Sequence, residues 1–294
     1  MLLEFSVENF LSFKELNTLS MIAAKSFKEH HDTHTIQLDK KVKLLKSAVL
    51  YGNNASGKSN FLEAMSFMRA TVINSFRDAL IDNSDKKFPL EKFVLSTKTE
   101  QESSFFEISF IQNEIKYRYG FEIDYNQVVA EWLYHTTSKE VYLFKRDYQK
   151  IEVNKTAFKE GLGKEENAKE NVLFLTLIAQ LNGKVSNEIV TWFKNFNYIN
   201  GIHDRGHKRY TIDKLKADKI FFNWALHFIK YLEITNLSTT VEEVNDVSLE
   251  TLRDKEKDEE IINLLTSIQK IQAKQPKRDQ LITYHRKYDE NNLF

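Results

Sequence analysis

Eight consecutive residues hold the clearest chemistry in this chain: Gly52, Asn53, Asn54, Ala55, Ser56, Gly57, Lys58 and Ser59, which read G-x-x-x-x-G-K-S. Glycines bounding a short turn, followed by a lysine and a hydroxyl, suit a polyphosphate. Gly52 and Gly57 permit backbone conformations that a Cβ would forbid, so successive N–H groups can turn inward on phosphate oxygens. A helix opening near Gly57 adds its unpaired amides and the positive end of its dipole. Lys58 then sets its charge between the β- and γ-phosphates, and the Ser59 hydroxyl ligates Mg²⁺. The pattern is that of a P-loop, and a nucleoside triphosphate with Mg²⁺ is the expected ligand.

Such a loop works only between a strand and a helix. Residues 42–51, VKLLKSAVLY, end in a continuous apolar run and read as a strand buried on both faces. Beyond the turn, Phe61, Met65, Met68, Val72 and Phe76 recur at spacings of three and four, which predicts a helix to about Leu80 with one apolar face. Ahead of it, Leu3, Phe5 and Val7 alternate with Glu4, Ser6 and Glu8, the pattern of a half-buried strand, and LNTLSMIAAK reads as the next strand of a meander.

Residues 88–146 change character. The runs FFEISFI, IKYRYGFEI, VAEWLYHT and VYLFKRD are short, aromatic and β-branched, with polar turns between them, and predict an antiparallel sheet of hairpins. Residues 150–170 read as a loop or weak helix, and NVLFLTLIAQLN and NEIVTWFKNF restore helical content to about residue 197. Ile212, Leu215, Ile220, Trp224, Phe228 and Leu232 stand at helix-like spacing. RDKEKDEEIINLLTSIQKIQAK reads as a charged helix with an apolar stripe, ended by Pro276, and QLITYHRKY as one more strand. The expected organisation is an α/β fold: a P-loop lobe over 1–200, a mostly helical insertion over 201–280, and a strand over 281–294 returning to the lobe.

Other clusters carry less. His30, His31, Asp32 and His34 gather three imidazoles, yet no second cluster stands at a ligand-like spacing, so no metal is expected there. Two basic runs, Arg205, His207, Lys208 and Arg209, then Lys274, Lys277 and Arg278, leave nucleic acid open as a partner. Their simpler reading is a solvated face, because 42 Lys and Arg balance 42 Asp and Glu and leave no global field to recruit a polyanion. Trp132, Trp192 and Trp224 sit in apolar periodic contexts that point to core packing. The absence of cysteine excludes a disulfide framework and thiolate metal ligation. Glu4 and Glu8 stand where a signal peptide would be basic and then apolar, and no window approaches the ~20 apolar residues of a membrane span. The expectation is a cytoplasmic protein with no membrane contact.

The motifs also carry a resemblance. FSVENFLSF, followed about forty residues later by GNNASGKSN, resembles the head domain of the SMC/RecF group of ABC-type ATPases, whose opening strand ends in N-F-[KR]-S-F. More narrowly, LLEFSVENFLSF, FEISF, YRYGFEID, EWLY and NVLFLTLIAQLN are similar to bacterial abortive-infection ATP-binding proteins, cousins of the OLD nucleases. The likeness covers most of residues 1–200 and resumes near 281–290. It implies an ABC-type N-terminal lobe binding ATP and Mg²⁺, with Ser12 and Phe13 packing on the adenine and Asn60 completing the P-loop. It further implies a Q-loop glutamine that senses Mg²⁺ beside Ser59; Gln180 in LIAQLN is the candidate, with Gln112 at a hairpin tip as its competitor. Head-to-head dimers, or higher homo-oligomers, controlling a companion nuclease or toxin effector in anti-phage defence complete what the resemblance implies.

Two departures qualify it. Leu11 stands where relatives often carry Arg or Lys, which removes a cationic contact to the nucleotide. No strand ending in Asp-Glu and no L-S-x-G run is found, so the chain is expected to be a truncated or split subunit, binding nucleotide weakly or not at all and not hydrolysing it alone. Other classes fit less well. A GTPase needs N-K-x-D, whereas Asn154 and Lys155 are followed by Thr156 and Ala157. A small-molecule kinase would show an Arg-rich lid after the P-loop helix. A non-catalytic nucleotide-gated scaffold and a DNA-repair ATPase of RecF type remain as alternatives.

Overall fold

Strand β1 (Leu2–Glu8) alternates in burial as it does in sequence: Leu3, Phe5 and Val7 are buried, and the residues between them are half-buried. The computed structural model describes residues 1–26, 29–38, 42–78, 88–199, 205–242 and 278–285. They fall into two units, Met1–Tyr198 and Ile199–Phe294. In the first unit β1 is followed by β2 (Asn17–Ser20), the one-turn α1 (His31–His34), β3 (Thr35–Gln37), β4 (Lys43–Leu45), α2 (Lys58–Asp78) and the short α3 (Thr97–Gln101). Then come β5 (Ser104–Gln112), β6 (Ile115–Ile123), β7 (Val128–Thr136), β8 (Glu140–Asp147), β9 (Lys150–Val153), α4 (Phe174–Gln180) and α5 (Lys184–Asn195).

Seven strands make one antiparallel sheet in the order β2-β1-β5-β6-β7-β8-β9, and β3 pairs with β4 apart from it. The hairpin readings therefore hold. At the β5–β6 turn both Asn113 and Glu114 take left-handed φ values (49° and 64°), the backbone of a two-residue turn whose twist matches that of the flanking strands.

The stripe read along α2 is buried against this sheet: Met65, Met68 and Val72 are 6%, 0% and 0% exposed, each worth roughly 1.5–3 kcal/mol on burial. Aromatic rings fill the space between. Phe106 of β5 meets Phe10, Phe67 and Phe121, and Phe110 stacks on Trp192 of α5 at 4.1 Å. α5 starts where Glu160 reaches it, its carboxylate accepting from the Val185 and Ser186 amides and the Ser186 hydroxyl. On the sheet's other face Trp132 lies flat over Gly120, where a Cβ would come within 2.5 Å of the indole, and its Nε1 donates to Glu107 at 2.7 Å. Arg118 donates to Glu107 and to both oxygens of Glu140.

One charged pair lies inside. Glu131 and Arg146, opposite each other on β7 and β8, are 0% and 3% exposed with 3.8 Å between their charged atoms. Glu131 accepts from the Tyr119 hydroxyl and from the amides of Phe174 and Leu175 at the head of α4. Arg146 donates to the carbonyls of Tyr148, Val172, Lys169 and Glu170. Burial pushes the Glu131 carboxyl above its ordinary range, against the pull of Arg146 and those amides. The pair thus ties the segment that leads into α4 to the sheet.

The second unit contains α6 (Arg205–Ala217), α7 (Lys219–Ile229), β10 (Ile234–Glu242) and β11 (Arg278–His285). The single run read over 212–232 is two helices. Asp218 caps the second, its Oδ1 accepting from the Ile220 and Phe221 amides at 2.9 Å. Trp224, expected in the core, is 59% exposed; Phe221, Trp224 and Phe228 stack on one another at 5.6 and 5.7 Å along α7. Periodicity shows which residues share a helix face, and it leaves open whether anything covers that face. Trp192 is in the core as expected, and Trp132 lies across the outer face of the sheet. The strand expected to return to the P-loop lobe instead pairs antiparallel with β10, so the second unit holds a β-ladder beside its helices. The charged helix read over 253–274, with Lys274, Pro276 and Lys277, and residues 286–294 lie outside the described residues.

The buried pair gives a direct test. Glu131→Ala or Arg146→Ala is expected to destabilise the chain by about 3–5 kcal/mol, because each strands the other's charge in the core. Urea denaturation checks this, and the double variant is expected to cost less than the sum of the two.

Candidate nucleotide-binding site

The P-loop is assembled from three directions. From the C-terminal side, α2 begins at Lys58, and Phe61 N donates to Gly57 O at 3.0 Å as the first bond of the helical ladder. Helix geometry leaves the amides of Lys58, Ser59 and Asn60 without intrahelical acceptors, aimed out of the helix mouth. From inside the loop, Ser56 N donates to Asn53 O at 3.2 Å, and two residues are left-handed, Ala55 (φ 63°) and Gly57 (φ 88°). From the third side, the turn after β1 lies against Gly57. A Cβ there would stand 2.7 Å from Ser12 Oγ and 3.7 Å from the Phe13 ring.

The roles of the two glycines differ. Gly57 is needed for both its φ and its space. Gly52 does not take a left-handed φ; a Cβ there would meet Ser56 Oγ at 2.6 Å, so the serine hydroxyl would have to turn aside. The second left-handed position falls on Ala55, a strained conformation for a residue with a side chain. Nothing in the residue type announces it, since alanine seldom marks a turn.

Lys58 closes the loop on itself. Its Nζ donates to Gly52 O at 2.7 Å, to Asn53 O at 2.6 Å and to Ser56 Oγ at 3.4 Å, three acceptors for an ammonium's three protons. A cation is thus held over two loop carbonyls and a hydroxyl beside a helix N-terminus, and a polyphosphate would take the place of those carbonyls. Ser59 is exposed on the first turn of α2, and Asn60 is half-buried beside it. The residue types and their placement fit a Mg²⁺-bound triphosphate.

The element ahead of the loop departs from expectation. The strand read over 42–51 is confined to Lys43–Leu45; residues 46–51 are exposed, with Val49 at 68% and Tyr51 at 89%. A strand buried on both faces needs a ladder on each edge and cover above and below. Lys46 N still donates to His34 O at 2.9 Å, and no described strand pairs with 47–51.

The remaining site residues divide. Ser12 is exposed beside Gly57, whereas the Phe13 ring meets Phe61 edge-on at 5.6 Å and serves the core. Gln180 is the exposed last residue of α4. α4 meets α2 where Thr176 Oγ1 donates to Val72 O, thirteen residues from Ser59 and so about 20 Å along the helix. No hydrogen bond links Gln180 to Ser59 among the described residues. The segment that runs back toward the helix mouth is 193–198: Arg69 donates to Phe193 O and Lys194 O, and Tyr198 Oη to Glu63 at 2.5 Å. Gln112 ends β5 at the hairpin, as expected. In the histidine cluster the His30 and His34 rings lie 5.2 Å apart, His34 Nδ1 bonds Thr33, and His31 Nδ1 faces Lys43 Nζ at 3.4 Å. Among the described residues no group of three or more His, Asp or Glu side chains is placed to hold a metal.

Residues 47–291 match the family described as "AAA domain, putative AbiEii toxin, Type IV TA system", and the chain belongs to that family. It is a P-loop ATPase family, which implies nucleotide binding. The match starts just ahead of the loop, so Ser12 and Phe13 lie outside it. No curated protein matches the chain. No described helix is long and apolar enough to cross a membrane.

Gly57→Ala is the local test. The new Cβ must displace Ser12 while the backbone keeps a φ that costs an L-residue about 1 kcal/mol. Nucleotide affinity, measured by isothermal titration, is expected to fall at least tenfold, with the unfolding free energy lowered by only about 1–2 kcal/mol because the loop is exposed.

Proposed function

We propose that the chain is the ATP-binding lobe of an SMC/RecF/OLD-like ATPase whose nucleotide-dependent head-to-head dimerisation controls a companion nuclease or toxin in bacterial anti-phage defence. The observation that carries this reading is the Lys58 ammonium held over Gly52, Asn53 and Ser56 at the mouth of α2. Family membership supports the ATPase class, and its toxin–antitoxin description supports the defence role. The finer assignment to an ABC-type head rests on the resemblance of residues 1–200, and the cytoplasm is the compartment that fits it.

In this reading the loop amides and Lys58 bind the β- and γ-phosphates, and Ser59 holds Mg²⁺. Bound Mg²⁺ supplies charge neutralisation between the phosphates. Lys58 exchanges the carbonyls of Gly52 and Asn53 for phosphate oxygens, a charge-assisted contact worth about 1.5–3 kcal/mol. The neutral chain offers no long-range attraction, so affinity comes from these short contacts.

Lys58→Ala tests the reading in protein expressed from its complete reading frame. Mg·ATP affinity is expected to fall at least tenfold, and light scattering is expected to show that ATP no longer drives dimer formation. Unchanged affinity would sink the P-loop assignment. ATP-driven dimers in the wild type without any phosphate release would favour the scaffold alternative.

A further inference from the structure

Asn9 is the last residue before the turn that touches Gly57, and its surroundings are unusual. It is 1% exposed and left-handed at φ 50°. Its Nδ2 donates to the carbonyls of Thr99, Glu102 and Ser103 at 2.8, 3.0 and 3.2 Å, and its Oδ1 accepts from Phe93 N at 3.2 Å. Its own carbonyl accepts from the buried Ser104 hydroxyl at 2.5 Å. Both ends of the amide are used, and three carbonyls on one side require a donor there, which selects asparagine over aspartate. Asparagine also tolerates the left-handed backbone better than most residues.

The next residues follow from this anchor. Leu11, left-handed at φ 51°, donates its amide to Glu91 O at 2.8 Å, and Phe10 and Phe13 exchange backbone bonds at 3.0 and 2.9 Å. The closed turn so formed presents Ser12 and Phe13 to Gly57. Among the described residues the turn has no other polar side-chain anchor of this kind: Phe10 is packed in the core, and Ser12 is exposed.

We propose that Asn9 is a positioning residue of the nucleotide site, holding the Ser12–Phe13 turn against the P-loop by clamping it to residues 93–103. The proposal rests on the P-loop reading above and deepens it. Asn9 acts through that turn rather than by direct contact: the resemblance of FSVENFLSF implies that the turn faces the nucleoside, while the phosphates are gripped by the loop amides and Lys58. Its removal therefore separates two affinities that a general loss of structure would lower together.

The experiment compares ATP with inorganic tripolyphosphate, both with Mg²⁺, by isothermal titration on the full-length protein. Asn9→Gly keeps the left-handed backbone and removes every side-chain bond; Asn9→Asp keeps the shape and turns an acceptor toward three carbonyls. Each is expected to weaken ATP at least tenfold and tripolyphosphate less than twofold. Equal loss of both ligands, or loss of neither, overturns the proposal. Should both variants fail to fold, Ser104→Ala removes only the bond to the Asn9 carbonyl; about threefold weaker ATP with unchanged tripolyphosphate is expected, and no such split overturns the proposal. Lys58→Ala is the control that separates the two readings, because it must weaken both ligands; if it weakens neither, the P-loop reading fails whatever Asn9 does.

Discussion

The seating of Phe61 at the mouth of α2 is the contact on which the site depends. Its ring meets Phe5 of β1 at 5.4 Å and Phe13 of the following turn at 5.6 Å, both edge-on, one turn of helix beyond Lys58. A helix N-terminus attracts anions wherever it lies, but it becomes a site only where its position is fixed. Here the fixing is apolar. Below Phe61, the burial of Met65, Met68 and Val72 against the sheet sets the axis of α2, and so the direction in which its free amides point.

Much of that frame was legible because it is local. Period-two alternation in β1 and the three-and-four spacing along α2 record which face is buried, the aromatic and β-branched runs between polar turns mark β5–β8, and all of these survive in the structure. The P-loop residues were legible because their chemistry is tied to residue type. What was not legible depends on distant partners. The apolar run at 48–51 reads the same whether or not strands flank it, and here none of the described strands does. Trp224 shares a stripe with Ile220 and Phe228, and the stripe is exposed. The break at Asp218 did carry a signal, an N-cap residue inside an apparent helix, which the hydrophobic spacing overrode.

Polar residues at inward positions were the other hidden class. Glu131 is in phase with the buried Leu133, and Arg146 with the buried Phe144, so alternation alone places two opposite charges in the core. Each finds the other across the ladder, and their remaining capacity is spent on the backbone that leads into α4. α4 in turn packs on α2 through Thr176. A charge pair on the far strands of the sheet thereby acts on the same helix that carries the phosphate-binding loop, although no residue of the pair approaches it in sequence.

Gly57 is where the restraints meet. On one side it opens the ladder of α2; on the other it lies under Ser12, in a turn closed by backbone bonds and anchored at Asn9. Residues 52–56, which continue the exposed run 46–51, are held chiefly by the Lys58 ammonium and one backbone bond. Binding a polyphosphate through this loop has to redirect one lysine away from the carbonyls of Gly52 and Asn53. The ordering cost that opposes association is then a few backbone and side-chain rotors rather than a domain. A site built in this way anchors the helix mouth and the neighbouring turn through buried contacts and leaves exposed the segment that must exchange its own carbonyls for phosphate oxygens.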